Sequence, residues 1–293
     1  AELTPKEFVQ LIDYSIILKK ELKRNVHKPV LKNKTLTMIF QKPSTRTRVS
    51  FETGMYQLGG HAINLSSNDM QLSRGESIED TARTLSRFTD CIMARVYDHN
   101  LLEKLSEYAS IPVINGLSNS FHPCQILADF MTIKEKKKNF KGLKIAWIGD
   151  GNNVCNSMIY GCALSGVKIS IATPKGFEPD KTVIDESKKF IDINLTTDPV
   201  NAIKNADVVV TDTYSSIHND DLKRINKFLP KYQITQTLMN NAQRDAIFMH
   251  CLPAKRESEV TSSVIDGPQS VVWDEAENRL HTQKALLTSL IRA

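Results

Sequence analysis

Residues 41–52 read QKPSTRTRVSFE and stand where one kind of backbone must give way to another. The run before them, Thr35–Phe40 (TLTMIF), is apolar and β-branched, as a strand requires. Pro43 removes a backbone donor and breaks that pattern. From Thr45 onward Phe51, Met55 and Leu58 recur at helical spacing, and Gly59-Gly60 supplies the stop. Ser44 is the expected N-cap. A strand running through a short turn into a helix is the opening of a β-α-β unit, and the rest of the chain must continue in kind.

It does. A capping-box pattern at 4–7, with Pro5 at the first helical position, starts a helix that runs to about Lys20. Beyond the helix from Thr45 come a short strand at 62–65, a polar loop at 66–75 and a helix with Ile78, Ala82, Leu85 and Phe88 on one face. A strand at 91–96, a helix at 101–109 and a strand at 111–114 follow. The charged run at 134–141 reads as a helix end or a linker. The alternation then restarts, with strand candidates at 143–148, 167–172, 207–210 and 247–249. The expected fold is α/β: two domains, 1–138 and 139–275, each a mostly parallel sheet flanked by helices, with an amphipathic helix at 276–293 packing back onto the first.

The chemistry concentrates where strands end. Ser44, Thr45, Arg46, Thr47 and Arg48 bring three hydroxyls and two guanidiniums together without a carboxylate. Because the helix begins inside this cluster, its unpaired N–H groups and positive dipole end point where the side-chain donors point. That is an anion site, suited to phosphate. The bland alternative is a solvated basic face with an ordinary helix cap. Arg95 closes a strand, and Asn115-Gly116 ends another and leads to His122-Pro123-Cys124-Gln125. Ligands of open α/β sheets bind outside the carboxyl ends of strands, so these groups should converge on one edge.

In the second half, Gly149-Asp150-Gly151-Asn152-Asn153 follows a strand and precedes a helix. A dinucleotide site would need a third glycine where Val154 stands, which disfavours an NAD-dependent dehydrogenase. Asn153 is the expected polar group facing the cleft. Asp212 ends a buried strand; with Ser216 nearby it suits an ammonium. Cys251, in Met249-His250-Cys251-Leu252-Pro253, ends another. The remaining cysteines, Cys91, Cys124, Cys155 and Cys162, lack metal-ligand spacing and read as reduced core thiols.

Composition excludes little else. Lysine and arginine number 38 against 33 acidic residues, too mild and too scattered for a nucleic-acid stripe. There is no run of membrane-spanning length and no secretory pattern at the start, so a cytoplasmic protein is expected.

Taken in order and spacing, Ser44-Thr45-Arg46-Thr47-Arg48, Arg95, His122-Pro123-Cys124-Gln125, Gly149-Asp150-Gly151-Asn152-Asn153, His250-Cys251-Leu252-Pro253 and Glu277-Asn278-Arg279 resemble the ornithine carbamoyltransferases. The resemblance covers nearly the whole chain. It implies transfer of a carbamoyl group from carbamoyl phosphate to the δ-amine of L-ornithine in the cleft between domains, within arginine metabolism, with no metal or organic cofactor. Ser44, Thr45, Arg46 and Thr47 would bind the phosphate. Arg95, His122, Gln125 and Thr47 would polarise the carbamoyl group, and Cys251, Leu252 and Arg279 would complete that site. Gln71 would come from a neighbouring subunit of a homotrimer. Asn153, Asp212, Ser216 and the Ile217 backbone would hold ornithine, with Cys251 and Asp212 close to the attacking amine. The family's loop ordinarily reads Ser-Met-Gly, and here it is Ser216-Ile217-His218, which keeps putrescine or another amine in play. Aspartate-type relatives carry proline where Cys251 stands. A catalytically silent relative is the remaining alternative, and the intact donor set speaks against it.

Overall fold

The computed structural model describes residues 3–66, 70–71, 75–214 and 222–291. The chain divides into two compact units, one made of Val9–Met131 with Glu277–Ala293, the other of Ala1–Phe8 with Thr132–Ala276. Along the sequence the first half gives α1 (Pro5–Lys23), β1 (Thr35–Phe40), α2 (Thr45–Gln57), β2 (His61–Ser66), α3 (Ile78–Phe88), β3 (Cys91–Arg95), α4 (His99–Tyr108), β4 (Val113–Leu117) and α5 (Pro123–Lys137). The second gives β5 (Lys144–Ile148), α6 (Asn153–Ser165), β6 (Lys168–Ala172), α7 (Lys181–Ser187), β7 (Ile193–Thr196), α8 (Pro199–Ile203) and β8 (Val208–Thr211). It closes with α9 (Leu222–Ile225), α10 (Gln236–Met239), β9 (Ile247–His250), α11 (Ser262–Ile265) and α12 (Val272–Leu290).

Each unit is built on a parallel sheet flanked by helices, as the alternation predicts. The first sheet runs β2-β1-β3-β4 and the second β7-β6-β5-β8-β9. Both reverse their winding beside the first strand laid down, between β1 and β3 and between β5 and β8. Such switch points open a crevice at the strands' carboxyl ends. Phe40 pairs with Arg95 in the β1–β3 register, so the chain leaving β1 and the Arg95 side chain share that end. Thr211 pairs with His250 in the β8–β9 register, which sets Asp212 beside Cys251, one residue further on.

The first core joins Leu36, Met38, Phe51, Met55 and Met93 with Leu287 of α12 and Ile291 just beyond it, so the end of that helix is part of this unit. The second gathers Ala146, Ile148, Val209 and Phe248 around stacked Tyr214 and Phe228, whose ring centroids lie 4.4 Å apart.

Three local readings change and one alternative is decided. Asn115-Gly116 lies inside β4, which ends at Leu117. Gly116 is there because a Cβ would meet Met93 Sδ at 2.3 Å where the β3–β4 register shifts, so the glycine serves close strand packing and not a turn. Phe88, the last residue of α3, is 75% exposed; the helix stops before this residue can join the buried face of Ala82. Of the two readings of the charged run the helix end holds, since α5 runs through Lys137, whose ammonium reaches Asp245 Oδ2 at 2.8 Å. β7 has no counterpart among the expected strands, since it is a four-residue, half-exposed edge of mixed polarity. Among the described residues no helix is long and apolar enough to cross a membrane.

Candidate active site

The first unit gathers a cluster of donors suited to an anion. Ser44 caps α2: its Oγ accepts the Thr47 N–H at 3.3 Å and its hydroxyl donates to Thr47 Oγ1 at 3.1 Å. The N–H groups of the first turn therefore face outward at the positive end of the helix, beside Thr45 and half-buried Arg46. Thr47 turns inward and is fully buried. Its Oγ1 accepts from Arg95 Nη1 at 3.3 Å and from Arg279 Nη2 at 3.2 Å, so one hydroxyl links three segments far apart in sequence. Arg279 also donates through Nη1 to Gln125 Oε1 at 2.6 Å, and Gln125 Nε2 donates to Asp129 Oδ1 at 2.8 Å.

His122 is buried beside this set. Burial first, and then the positive charges of Arg279, Arg95, Lys42 and Arg46, hold its pKa well below the usual 6.5. The imidazole is neutral at physiological pH, a donor and not a cation. Lys42 is thereby a further positive charge on this pocket, overlooked in the sequence because it precedes the hydroxyl-arginine cluster. Asp129, which orients the Gln125 amide, lies one helical turn on, a spacing that could have revealed it. Arg48, by contrast, points away, its Nε 2.9 Å from Glu52 Oε1 on the exposed face of α2. Gln71 is exposed, its carbonyl accepting the Glu76 N–H at 3.1 Å.

The second unit gathers a cluster of its own. Asp212, nearly buried, accepts from Asn152 Nδ2 at 2.7 Å through Oδ2 and from Cys251 Sγ at 3.2 Å through Oδ1. Asn152, which the sequence reading did not single out, holds this carboxylate, and its Oδ1 also caps α6 by accepting from Val154 N–H at 2.9 Å. Asn153 opens α6 and is half-buried. Cys251 is the one partly exposed cysteine; Cys91, Cys124, Cys155 and Cys162 are buried, and burial pushes the Cys91 thiol up to about 12. Leu252 follows with a left-handed φ of 57°. Ser216 and Ile217 lie outside the described residues. Asp150 is raised to about 6 by burial, even though it pairs with the Arg224 guanidinium.

The glycine loop after β5 has its own explanation. A Cβ on Gly151 would lie 2.2 Å from Pro179 N and 2.5 Å from Phe177 O. The space a dinucleotide pyrophosphate would need beside that glycine is filled by the protein's own backbone, which answers the dehydrogenase reading. Asp212, His250 and Cys251 each bring one potential ligand atom within 4.8 Å of the others. His250 Nδ1, however, already accepts the Leu252 N–H at 2.9 Å, and an ion bound there would have to break that bond.

The arrangement agrees with what similarity finds. The aspartate/ornithine carbamoyltransferase carbamoyl-P binding domain matches residues 1–135, and the Asp/Orn binding domain of the same proteins matches 141–290. The ornithine carbamoyltransferase of Cenarchaeum symbiosum is 61% identical over 290 residues, covering 99% of this chain and 96% of that protein. That of Methanocaldococcus jannaschii is 49% identical over 291 residues, covering 97% and 95%. The solved ornithine carbamoyltransferase of Pyrococcus furiosus superposes with a TM-score of 0.96 at 49% identity, covering 99% of this chain and 95% of that one. With both domains matched in order over residues 1–135 and 141–290, the chain belongs to the aspartate/ornithine carbamoyltransferase family.

Proposed function

We propose that this protein transfers the carbamoyl group of carbamoyl phosphate to the δ-amine of L-ornithine, giving L-citrulline and phosphate. The observation that carries the proposal is the meeting of Arg95 and Arg279 on Thr47 at the capped start of α2, with Gln125 bonded to Arg279. Residues 1–138, with the C-terminal segment 276–293, take carbamoyl phosphate; residues 139–275 take ornithine.

In this reading the neutral amine forms a bond to the carbonyl carbon, charge grows on the carbonyl oxygen, and the C–O bond to phosphorus breaks with its electron pair leaving on phosphate. The amine gives up its proton, to Asp212, to the Cys251 sulfur or to the departing phosphate. Ser44, Thr45, Arg46 and Thr47 hold the phosphate; Arg95, His122, Gln125 and Arg279 donate to the reacting group, with Cys251 and Leu252 completing the set. Asn153, Asp212, Ser216 and Ile217 hold ornithine. Donors fixed in advance need not reorganise as charge develops, and each is worth about 2.7–4 kcal/mol in the transition state. A neutral His122 fits this role, since an imidazolium would be repelled by the arginines around it.

We further infer a cytoplasmic homotrimer, or an assembly of trimers, in which an exposed Gln71 serves a neighbouring subunit's site. One second reading is retained, because Ser216-Ile217-His218 departs from the family's Ser-Met-Gly: putrescine or another amine in place of ornithine. The test is a turnover assay with carbamoyl phosphate and, side by side, ornithine, putrescine, aspartate and N-acetylornithine. Citrulline from ornithine should dominate; faster carbamoylation of putrescine would overturn the choice of amine, and no carbamoylation at all would overturn the activity.

A further inference from the structure

We propose that His250, seated on Glu259, is a positioning residue that sets the backbone of the Cys251-Leu252 turn. The proposal rests on the carbamoyltransferase reading for its catalytic meaning, and on geometry alone for the turn itself.

His250 ends β9 and Glu259 lies nine residues later; both side chains are fully buried. Glu259 Oε1 accepts from His250 Nε2 at 3.2 Å and from the Lys255 N–H at 2.5 Å. On the other side of the ring, the Leu252 N–H donates to His250 Nδ1 at 2.9 Å. A backbone N–H only donates, so Nδ1 carries the lone pair and the ring proton sits on Nε2, aimed at the carboxylate. The acid fixes the tautomer, and the tautomer fixes the acceptor presented to Leu252.

That acceptor holds an unfavourable conformation. Leu252 has φ of 57°, which a branched residue avoids unless its surroundings over-determine it. The His250 N–H is itself taken by Glu275 Oε2 at 2.9 Å, on a glutamate that is also buried. Two buried carboxylates at one strand end are a poor device for stability alone, because apolar side chains of similar size would do as well or better. What they fix is direction. Between the two bonded backbone positions stands Cys251, whose Sγ meets Asp212 Oδ1 at 3.2 Å only if the turn holds.

The experiment compares His250→Leu, which keeps bulk and removes the acceptor, with His250→Asn, which loses bulk and keeps an acceptor near the place of Nδ1. A packing role ranks leucine above asparagine; positioning ranks asparagine above leucine. Two readouts are taken on folded protein: the rate at which a thiol reagent modifies Cys251, the only partly exposed cysteine, and kcat with carbamoyl phosphate and ornithine. In His250→Leu we expect Cys251 to react about tenfold faster and kcat to fall about tenfold, the weight of one lost hydrogen bond, with both largely restored in His250→Asn. Where His250→Leu does not fold, Glu259→Gln, which keeps an acceptor oxygen, against Glu259→Leu, which removes it, carries the same comparison. Asparagine no better than leucine, or glutamine no better than leucine at 259, overturns the proposal. The labelling rate reads the turn without any turnover, so an inactive wild type would defeat the proposed function and leave this test standing.

Discussion

Arg279 Nη1 lies 2.6 Å from Gln125 Oε1, a bond that joins residues 154 positions apart in the sequence. The amide has no freedom to turn over, because its nitrogen is committed to Asp129 at 2.8 Å and its oxygen to the arginine. The guanidinium, in turn, spends a second nitrogen on Thr47. The donors of the anion pocket are thereby oriented before any substrate arrives, which is the condition for electrostatic stabilisation of a transition state.

Thr47 is the acceptor on which two arginines depend. Thr47→Val keeps the shape and removes the oxygen, leaving Arg95 and Arg279 each short of a partner in a buried site. We expect a loss of roughly 1–3 kcal/mol in urea unfolding, together with weaker phosphate binding. Unchanged stability would show that the two guanidiniums are held by other means.

Arg46 stands at the start of α2 beside the capping serine. If it neutralises the leaving phosphate, Arg46→Ala should lower kcat by about 100- to 1,000-fold. Near-normal turnover would remove it from that role, while a rise in KM alone would make it a ground-state anchor.

The burial and charge around His122 give a pH dependence with a definite sign. The folded imidazole stays neutral well below 6.5, whereas the unfolded chain binds a proton there, so this group subtracts stability as pH falls below the unfolded value. Nitrogen chemical shifts should report neutral imidazole at pH about 6, and wild type should lose more stability than His122→Asn between about pH 7.5 and about pH 5.5. Equal losses would contradict the shift.

Cys251→Ser alters the partner of Asp212 and leaves the Thr47, Arg95 and Arg279 cluster unchanged. Ornithine KM should rise by up to about tenfold, with carbamoyl phosphate binding less affected. Equal effects on both substrates would count against a place for this thiol beside the amine.

Gly151→Ala tests the account of the glycine loop. A methyl group would strike the backbone at 177–179, so the substitution should destabilise by about 1–3 kcal/mol. A tolerated alanine would mean that segment yields readily.

Much of this was legible in the amino-acid order because local chemistry carried it. The strand at Thr35–Phe40, the Ser44 cap and the helix from Thr45 follow from β-branched residues, a hydroxyl and apolar spacing, all within one short stretch. Arg95, His122 and Gln125 stood at strand ends or helix starts, where an α/β sheet collects ligands. The misses have a common physical origin in contacts distant along the chain. Nothing near Gly116 in sequence announces Met93, and nothing near Gly151 announces the backbone at Phe177. Phe88 obeyed the helical spacing and fell where the helix runs out.

The two oxygens of Asp212 are shared between an amide and a thiol. A sulfhydryl is among the weakest donors a protein owns, so the carboxylate is sheltered without being strongly satisfied. In the proposed reaction, an amine substrate arriving at Oδ1 has only this weak bond to displace. In that sense the sulfur is a placeholder: one oxygen is covered by a partner easily dislodged, while the other stays with Asn152.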